Sequence, residues 1–199
     1  MRIIAGKFRS RQLKSLKRLA LRPTSDRLRE TLFDILGSLV SGSRFIDAFA
    51  GTGAVGIEAL SRGADEVIFI EKHAMAASLI KQNLESLQVR SGTRVLPIDA
   101  LHALELLAKE TLPDNEQLQI LFLDPPYANA TDYDRVLSFA GSTALLGPGS
   151  LVIAEHRRSF GLPEKLENLH CVRVLRQGDA ALTFYRLVEK SQGSGAAAE

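Results

Sequence analysis

From Arg44 onward the chain alternates two hydrophobic rhythms. Short apolar runs at Arg44–Asp47, Val67–Ile70, Thr93–Leu96, Ile120–Leu123, Ser150–Ala154, Val172–Leu175 and Ala181–Leu187 predict strands. Between them, apolar residues at helical spacing predict helices over Ala54–Arg62, Ala74–Leu87, Leu101–Ala108 and Tyr133–Ala140. Ile120-Leu121-Phe122-Leu123 is apolar without interruption, as a parallel strand covered on both faces requires. Gly63 stands where a helix C-cap glycine belongs. Alternation of this kind, closing on two consecutive strands, predicts an open, doubly wound α/β sheet, mostly parallel and seven-stranded, with helices on both faces.

Upstream the pattern differs. Residues 1–22 carry short apolar stretches at Arg2-Ile3-Ile4-Ala5 and Gln12-Leu13-Lys14, with Gly6 and Ser10 as turn formers, and predict a small hairpin. Residues 24–40 predict a helix with Thr24 or Ser25 as N-cap and Asp26 in its first turn. Leu28, Leu32, Ile35 and Leu39 would form its buried stripe. The tail 191–199 is small and polar, and disorder is expected there.

Composition narrows the class. A chain of 199 residues, 45% hydrophobic and 24% charged, is expected to fold as one ordinary globular unit over 23–190 behind its basic arm. The single cysteine, Cys171, excludes a disulfide framework. The N-terminus lacks a signal-like apolar stretch and no run is long enough to span a bilayer, so a cytoplasmic protein with no membrane partner is expected. His73, His102, His156 and His170 show no metal-ligand spacing, and no metal is expected. Charge is unevenly spread: residues 1–30 hold ten Lys/Arg against two acids, and the remaining chain is net acidic. Arg2, Lys7, Arg9, Arg11, Lys14, Arg22 and Arg27 therefore mark a footprint for a polyanion.

Two stretches carry candidate chemistry. The run from Ile46 to Gly56 passes from a strand into a helix, and Gly51, Gly53 and Gly56 fit G-x-G-x-x-G. Glu71 ends the next strand, where a carboxylate can accept ribose hydroxyls. A dinucleotide places pyrophosphate at the helix N-terminus, and Asp47 would repel it. S-adenosylmethionine instead carries an ammonium and a sulfonium, which Asp47 would attract. Asp99 could meet the adenine amino group, cap the helix from Leu101, or do both.

Asp124-Pro125-Pro126-Tyr127 directly follows the most apolar strand. Its prolines fix φ and remove N–H donors, leaving a stiff corner that presents acceptors. An exocyclic amino group has its lone pair delocalised into the ring. Acceptors from Asp124 and Pro125 would hold both its hydrogens, aim the lone pair, and stabilise positive charge growing on nitrogen. Tyr127 offers a stacking face worth roughly 1–3 kcal/mol.

The Asp124–Tyr127 corner downstream of Asp47–Gly53 resembles the class I amino-methyltransferases. Arg2–Gly6, Arg22–Glu30 and Gly56–Ala64 more narrowly resemble the bacterial RsmD family, over about residues 1–187. The resemblance implies a Rossmann-like methyltransferase fold with an N-terminal hairpin. It implies methyl transfer from S-adenosylmethionine, leaving S-adenosylhomocysteine, to guanine N2 of small-subunit (16S) ribosomal RNA, within the 30S subunit or its precursor. It implies a cofactor pocket lined by Asp47, Phe49, Gly51, Gly53, Glu71, Lys72, Asp99 and Ala100. Asp124, Pro125, Pro126 and Tyr127 would form the amino-group site, with Thr24 and Arg27 beside its mouth. A monomer is the default. Adenine-N6 or protein-amide methylation, and a nicotinamide-linked oxidoreductase on the same glycine loop, stay open at this level.

Overall fold

The apolar runs become the middle of one sheet. In the computed structural model, which describes residues 1–15, 24–110, 118–126, 130–147 and 149–188, the elements follow each other as α1 (Asp26–Leu36), β1 (Arg44–Asp47), α2 (Ala54–Ser61), β2 (Glu66–Ile70), α3 (Ala74–Ser86), β3 (Thr93–Leu96), α4 (Ala100–Leu107), β4 (Gln119–Leu123), α5 (Ala130–Ser142), β5 (Leu151–Arg157), β6 (Lys165–Leu166), β7 (Leu169–Gln177) and β8 (Ala180–Leu187). The sheet has eight strands in the order β3-β2-β1-β4-β5-β8-β7-β6. Strands β3 to β5 in that order run parallel, and β8, β7 and β6 add on antiparallel. The fold is thus the α/β, Rossmann-like arrangement expected of a class I methyltransferase. The strand that periodicity missed, β6, is two residues long, too short to show alternation.

Burial explains the order. Every residue of β1 and β4 is buried, so both strands need helices on both faces. One face packs Phe33 of α1, Ile57 of α2 and Ile80 of α3 against Phe45, Phe69 and Phe122. The other packs Leu104 of α4 and Leu137 of α5 against Ile46, Ile68 and Leu121. Gly56 is the tightest point: a Cβ there would sit 2.4 Å from the Phe69 ring, so glycine lets α2 lie close on β2.

α1 begins and ends differently from its apolar stripe. Ser25, not Thr24, is the N-cap, accepting from the Leu28 N–H at 3.1 Å. The helix stops at Leu36, because Gly37 takes φ +52° and its N–H returns to the Phe33 carbonyl. A 3₁₀ turn over Gly37–Val40 follows, which leaves Leu39 39% exposed while Leu28 and Leu32 are buried. Leu39 is therefore not a core residue.

The N-terminal hairpin is real but minimal. Arg2 and Gln12 form an isolated antiparallel bridge, with the Ile3 N–H donating to the Arg11 carbonyl at 3.0 Å and the Ser10 N–H returning to Ile3 at 2.9 Å. Its hold on the body is a buried carboxylate. Glu58 accepts from the Ile4 and Ala5 N–H groups at 2.8 and 3.0 Å and from Arg62 Nε at 2.9 Å. Arg29, also fully buried, donates to the Arg2 carbonyl at 2.6 Å and lies 3.7 Å from Glu58. Asn83 closes the far end by accepting from the Lys14 N–H at 2.9 Å. Residues 16–22 of the arm and the tail 191–199 lie outside the described residues.

Removing one partner of a buried charge pair leaves the other uncompensated. Glu58→Ala should lower stability by about 3–5 kcal/mol in urea unfolding and expose residues 1–14 to limited proteolysis. Gly56→Ala gains about 1 kcal/mol of helix propensity yet drives a methyl into Phe69, so a net loss of at least about 1 kcal/mol is expected by the same assay.

Candidate active site

Parallel pairing brings the two chemical stretches side by side. Asp47 is in register with Phe122, and the Ala48 N–H donates to the Phe122 carbonyl at 3.0 Å. The glycine loop after β1 and the proline corner after β4 therefore leave neighbouring strands at the same edge. Between them lies a cavity of about 240 Å³. Asp47, Gly51, Glu71 and Asp99 line it together with Asp124, Pro125 and Pro126. Phe49, Ile98 and Phe122 supply apolar walls on which a flat ring can rest. Lys72 and Ala100 also border it.

The glycine loop is shaped by backbone need. Gly51 and Gly53 have φ +53° and +78°, which residues with a Cβ rarely adopt. Gly53 caps the start of α2, and among the described residues beyond its chain neighbours no atom lies within 4 Å of where a Gly51 Cβ would stand, so the loop leaves room for a ligand. Glu71 organises this loop as well as facing the cavity. Its Oε2 accepts from the Gly51 N–H at 2.9 Å and its Oε1 from the His73 N–H at 2.7 Å. Each oxygen keeps a lone pair for a ribose hydroxyl.

Asp47 is not the simple anion that its position suggests. It is 2% exposed and accepts from the Gly56 N–H at 3.0 Å. Burial above all, with Glu71 and Glu155 adding to it, outweighs the Gly56 bond and brings its carboxyl up to about 7. Near neutral pH it sits between neutral and charged, and a cation arriving in the cavity would favour the charged form. Asp99 is the N-cap of α4, accepting from the Leu101 N–H at 3.1 Å, while it also borders the cavity. Both expected uses of that residue are thus compatible in one place. Asp47, Glu71 and Asp99 form no ion pair among the described residues. Such a mouth suits a cationic ligand and opposes a pyrophosphate.

At the proline corner Pro125 is buried, Pro126 is exposed and Asp124 is half-buried. Tyr127 lies outside the described residues, as does Arg22. Thr24 lines the cavity, but its hydroxyl donates to buried Glu155 at 2.8 Å, so it shapes the wall and is not displayed to phosphate. Glu155 is a site neighbour that sequence reasoning missed; a charge inside an apolar strand run was its one signal. Ile98, next to Asp99, was missed as well.

Arg2, Lys7, Arg9, Arg11, Lys14 and Arg27 are all exposed. They are not all near the cavity. Lys7 donates its backbone N–H to Ser61 at 2.7 Å, which sets the hairpin tip at the far end of α2, about 12 Å of helix from Gly53. Lys14 lies at the near end, where Asn83 Nδ2 bridges the Lys14 and Thr52 carbonyls. Among the described residues no group of three or more His, Cys, Asp or Glu is placed to hold a metal.

Because the folded chain keeps the Asp47 proton that an unfolded chain releases above about pH 4, stability should fall as pH rises from about 4 to about 7. Asp47→Asn keeps an acceptor for Gly56 without the charge. Its melting temperature should match the wild type near pH 4 and exceed it by a few degrees at pH 8, in thermal melts across that range.

The family model described as "Conserved hypothetical protein 95" matches residues 1–186. The ribosomal RNA small subunit methyltransferase D of Haemophilus influenzae is 33% identical over 193 residues, covering 95% of this chain and 93% of that protein. The protein of the same name from Escherichia coli is 32% identical over 186 residues, covering 94% and 89%. The solved structure of a hypothetical protein from Thermus thermophilus superposes with a TM-score of 0.74 at 29% identity, covering 94% of this chain and 99% of that one. With the glycine loop, the strand-end acids and the proline corner in one cavity, these matches show that the chain belongs to the ribosomal RNA small subunit methyltransferase D-like family of class I, S-adenosylmethionine-dependent methyltransferases.

Proposed function

We propose that the chain transfers a methyl group from S-adenosylmethionine to the exocyclic N2 amino group of a guanine in small-subunit ribosomal RNA, within the assembled or assembling 30S subunit. It would do so as a cytoplasmic monomer. The observation that carries this reading is the shared cavity: Asp124 and Pro125 face the same space as Gly51, Glu71 and Asp99.

The residues present fit the methyl donor. Open space over Gly51 admits a ligand, Glu71 keeps acceptor capacity for a ribose, Ile98 and Phe49 flank a slot for adenine, and Asp47 is placed to gain charge beside a cation. When bound, the sulfonium supplies an electrophilic methyl carbon. The work of the protein is then to orient the acceptor. Asp124 and the Pro125 carbonyl hold the two amino hydrogens, which points the nitrogen lone pair along the attack line. The same acceptors stabilise positive charge on nitrogen as the new C–N bond forms. The proton becomes acidic only after alkylation, so Asp124 or water can remove it without a raised pKa. The exposed arginines and lysines of the arm would meet phosphates.

The test is methyl transfer from labelled S-adenosylmethionine to protein-free small-subunit rRNA and to 30S particles, with nucleoside mass spectrometry of the product. N2-methylguanine is expected; N6-methyladenine or label in protein would replace the proposed substrate. Asp124→Ala should lower turnover about 100-fold or more while S-adenosylhomocysteine still binds. Asp124→Asn, which keeps one acceptor oxygen, should lose less.

A further inference from the structure

A second cationic surface stands at the sheet edge that carries the proline corner. β5 runs parallel to β4, so its carboxyl end, Arg157, emerges at the same sheet edge as Asp124. β8 runs antiparallel to β5, which brings the β7–β8 turn back to that edge as well. Arg157 pairs with Ala180, and Arg176 stands across Ala181 from His156. The edge thus gathers Arg157, Arg158 and Arg176, all exposed.

This turn is built, not loose. The Arg158 N–H donates to the Asp179 carbonyl at 2.7 Å, which ties the end of β5 to the β7–β8 turn. Phe160 packs 5.3 Å from the Tyr133 ring near the start of α5, the helix that follows the proline corner. His156, buried, bonds the Arg157 carbonyl at 2.9 Å and the Thr183 hydroxyl at 2.8 Å. Burial above all, with Arg176 adding to it, holds its imidazole below the ordinary range, so the ring is a neutral strut. The aromatic cluster fixes the turn against the first part of α5.

The arginines of the body differ in employment. Arg44, Arg62 and Arg94 are each held by carboxylates. Arg158 and Arg176 form no ion pair among the described residues, and the acid closest in the turn is Asp179, also exposed. Two exposed guanidiniums on a braced turn match the bidentate geometry of phosphate oxygens.

We infer that Arg158 and Arg176, at the braced junction of β5 and the β7–β8 hairpin, form a second phosphate-binding ledge, separate from the hairpin seated on α2, that grips the RNA strand at the sheet edge carrying the proline corner. This inference rests on the RNA reading above. It adds a cationic contact at the edge where the cavity opens, which helps hold an unstacked nucleotide at the pocket.

The experiment measures the binding of full-length protein to transcribed small-subunit rRNA by filter retention across a salt series. Losing two phosphate contacts should flatten the slope of log affinity against log salt by about 1.4 in R158Q/R176Q, with weaker binding at low salt. R158E/R176E should bind more weakly still. S-adenosylhomocysteine affinity and melting temperature should stay at wild-type values, which reports an intact fold. An unchanged slope in both variants, beside a wild-type protein that binds and methylates the RNA, overturns the ledge alone. A wild type that neither binds nor methylates RNA overturns the substrate reading and the ledge with it.

Discussion

The adjacency of β1 and β4 is the constraint on which the site depends. These strands are separated in sequence by three helical crossovers, yet they pair directly, with Asp47 level with Phe122. Strand order reverses between them: from β1 the chain builds outward through β2 and β3, then returns to place β4 on the other side. At such a reversal the following loops diverge and leave a crevice between them. A one-residue slip of this register would turn Asp47 to the opposite face of the sheet and shift the proline corner relative to the glycine loop. The four buried residues of β1, matched to the apolar β4, forbid that slip, because it would exchange the two hydrophobic faces.

Charge is treated in two opposite ways inside this small body. At Glu58 and Arg29 buried charges face backbone groups and one another, and the result is structural: an N-terminal arm seated on α2. At Asp47 the buried carboxyl has one backbone donor and two acidic neighbours, and it holds its proton to about neutral pH. The first arrangement balances opposite charges within the chain. The second gains from an incoming positive charge, which is the electrostatic character wanted where a sulfonium and an ammonium are to be held. Thr24 and Glu155 join the two regions, since their hydrogen bond ties the entry to α1 to β5 behind the cavity.

Much of the fold was legible because its strands carry their burial in their composition. Ile120–Leu123 reads as a covered strand, and Gly51, Gly53 and Gly56 mark a turn and a close approach that only glycine fits. The place of Asp124-Pro125-Pro126 at the cavity was legible because they follow the covered strand β4, and proline sets its own backbone and that of the residue before it. What sequence could not give depends on neighbours distant in the chain. The exposure of Leu39 follows from a single glycine that ends α1 early. The elevated Asp47 carboxyl follows from desolvation and from Glu155, more than a hundred residues away. The distance of Lys7 and Arg9 from the cavity follows from where Ser61 seats the hairpin, which no charge count contains.

That seating has a consequence for how the molecule is assembled. Ile4, Ala5 and Lys14 find their partners at Glu58 and Asn83, between 53 and 69 residues further along the chain. The segment leaves the ribosome ahead of α2 and α3 and has nowhere to dock until they exist, so its seat is a late, long-range closure. For that interval a strongly cationic peptide trails free beside the nucleic acid of the very machine that is making it.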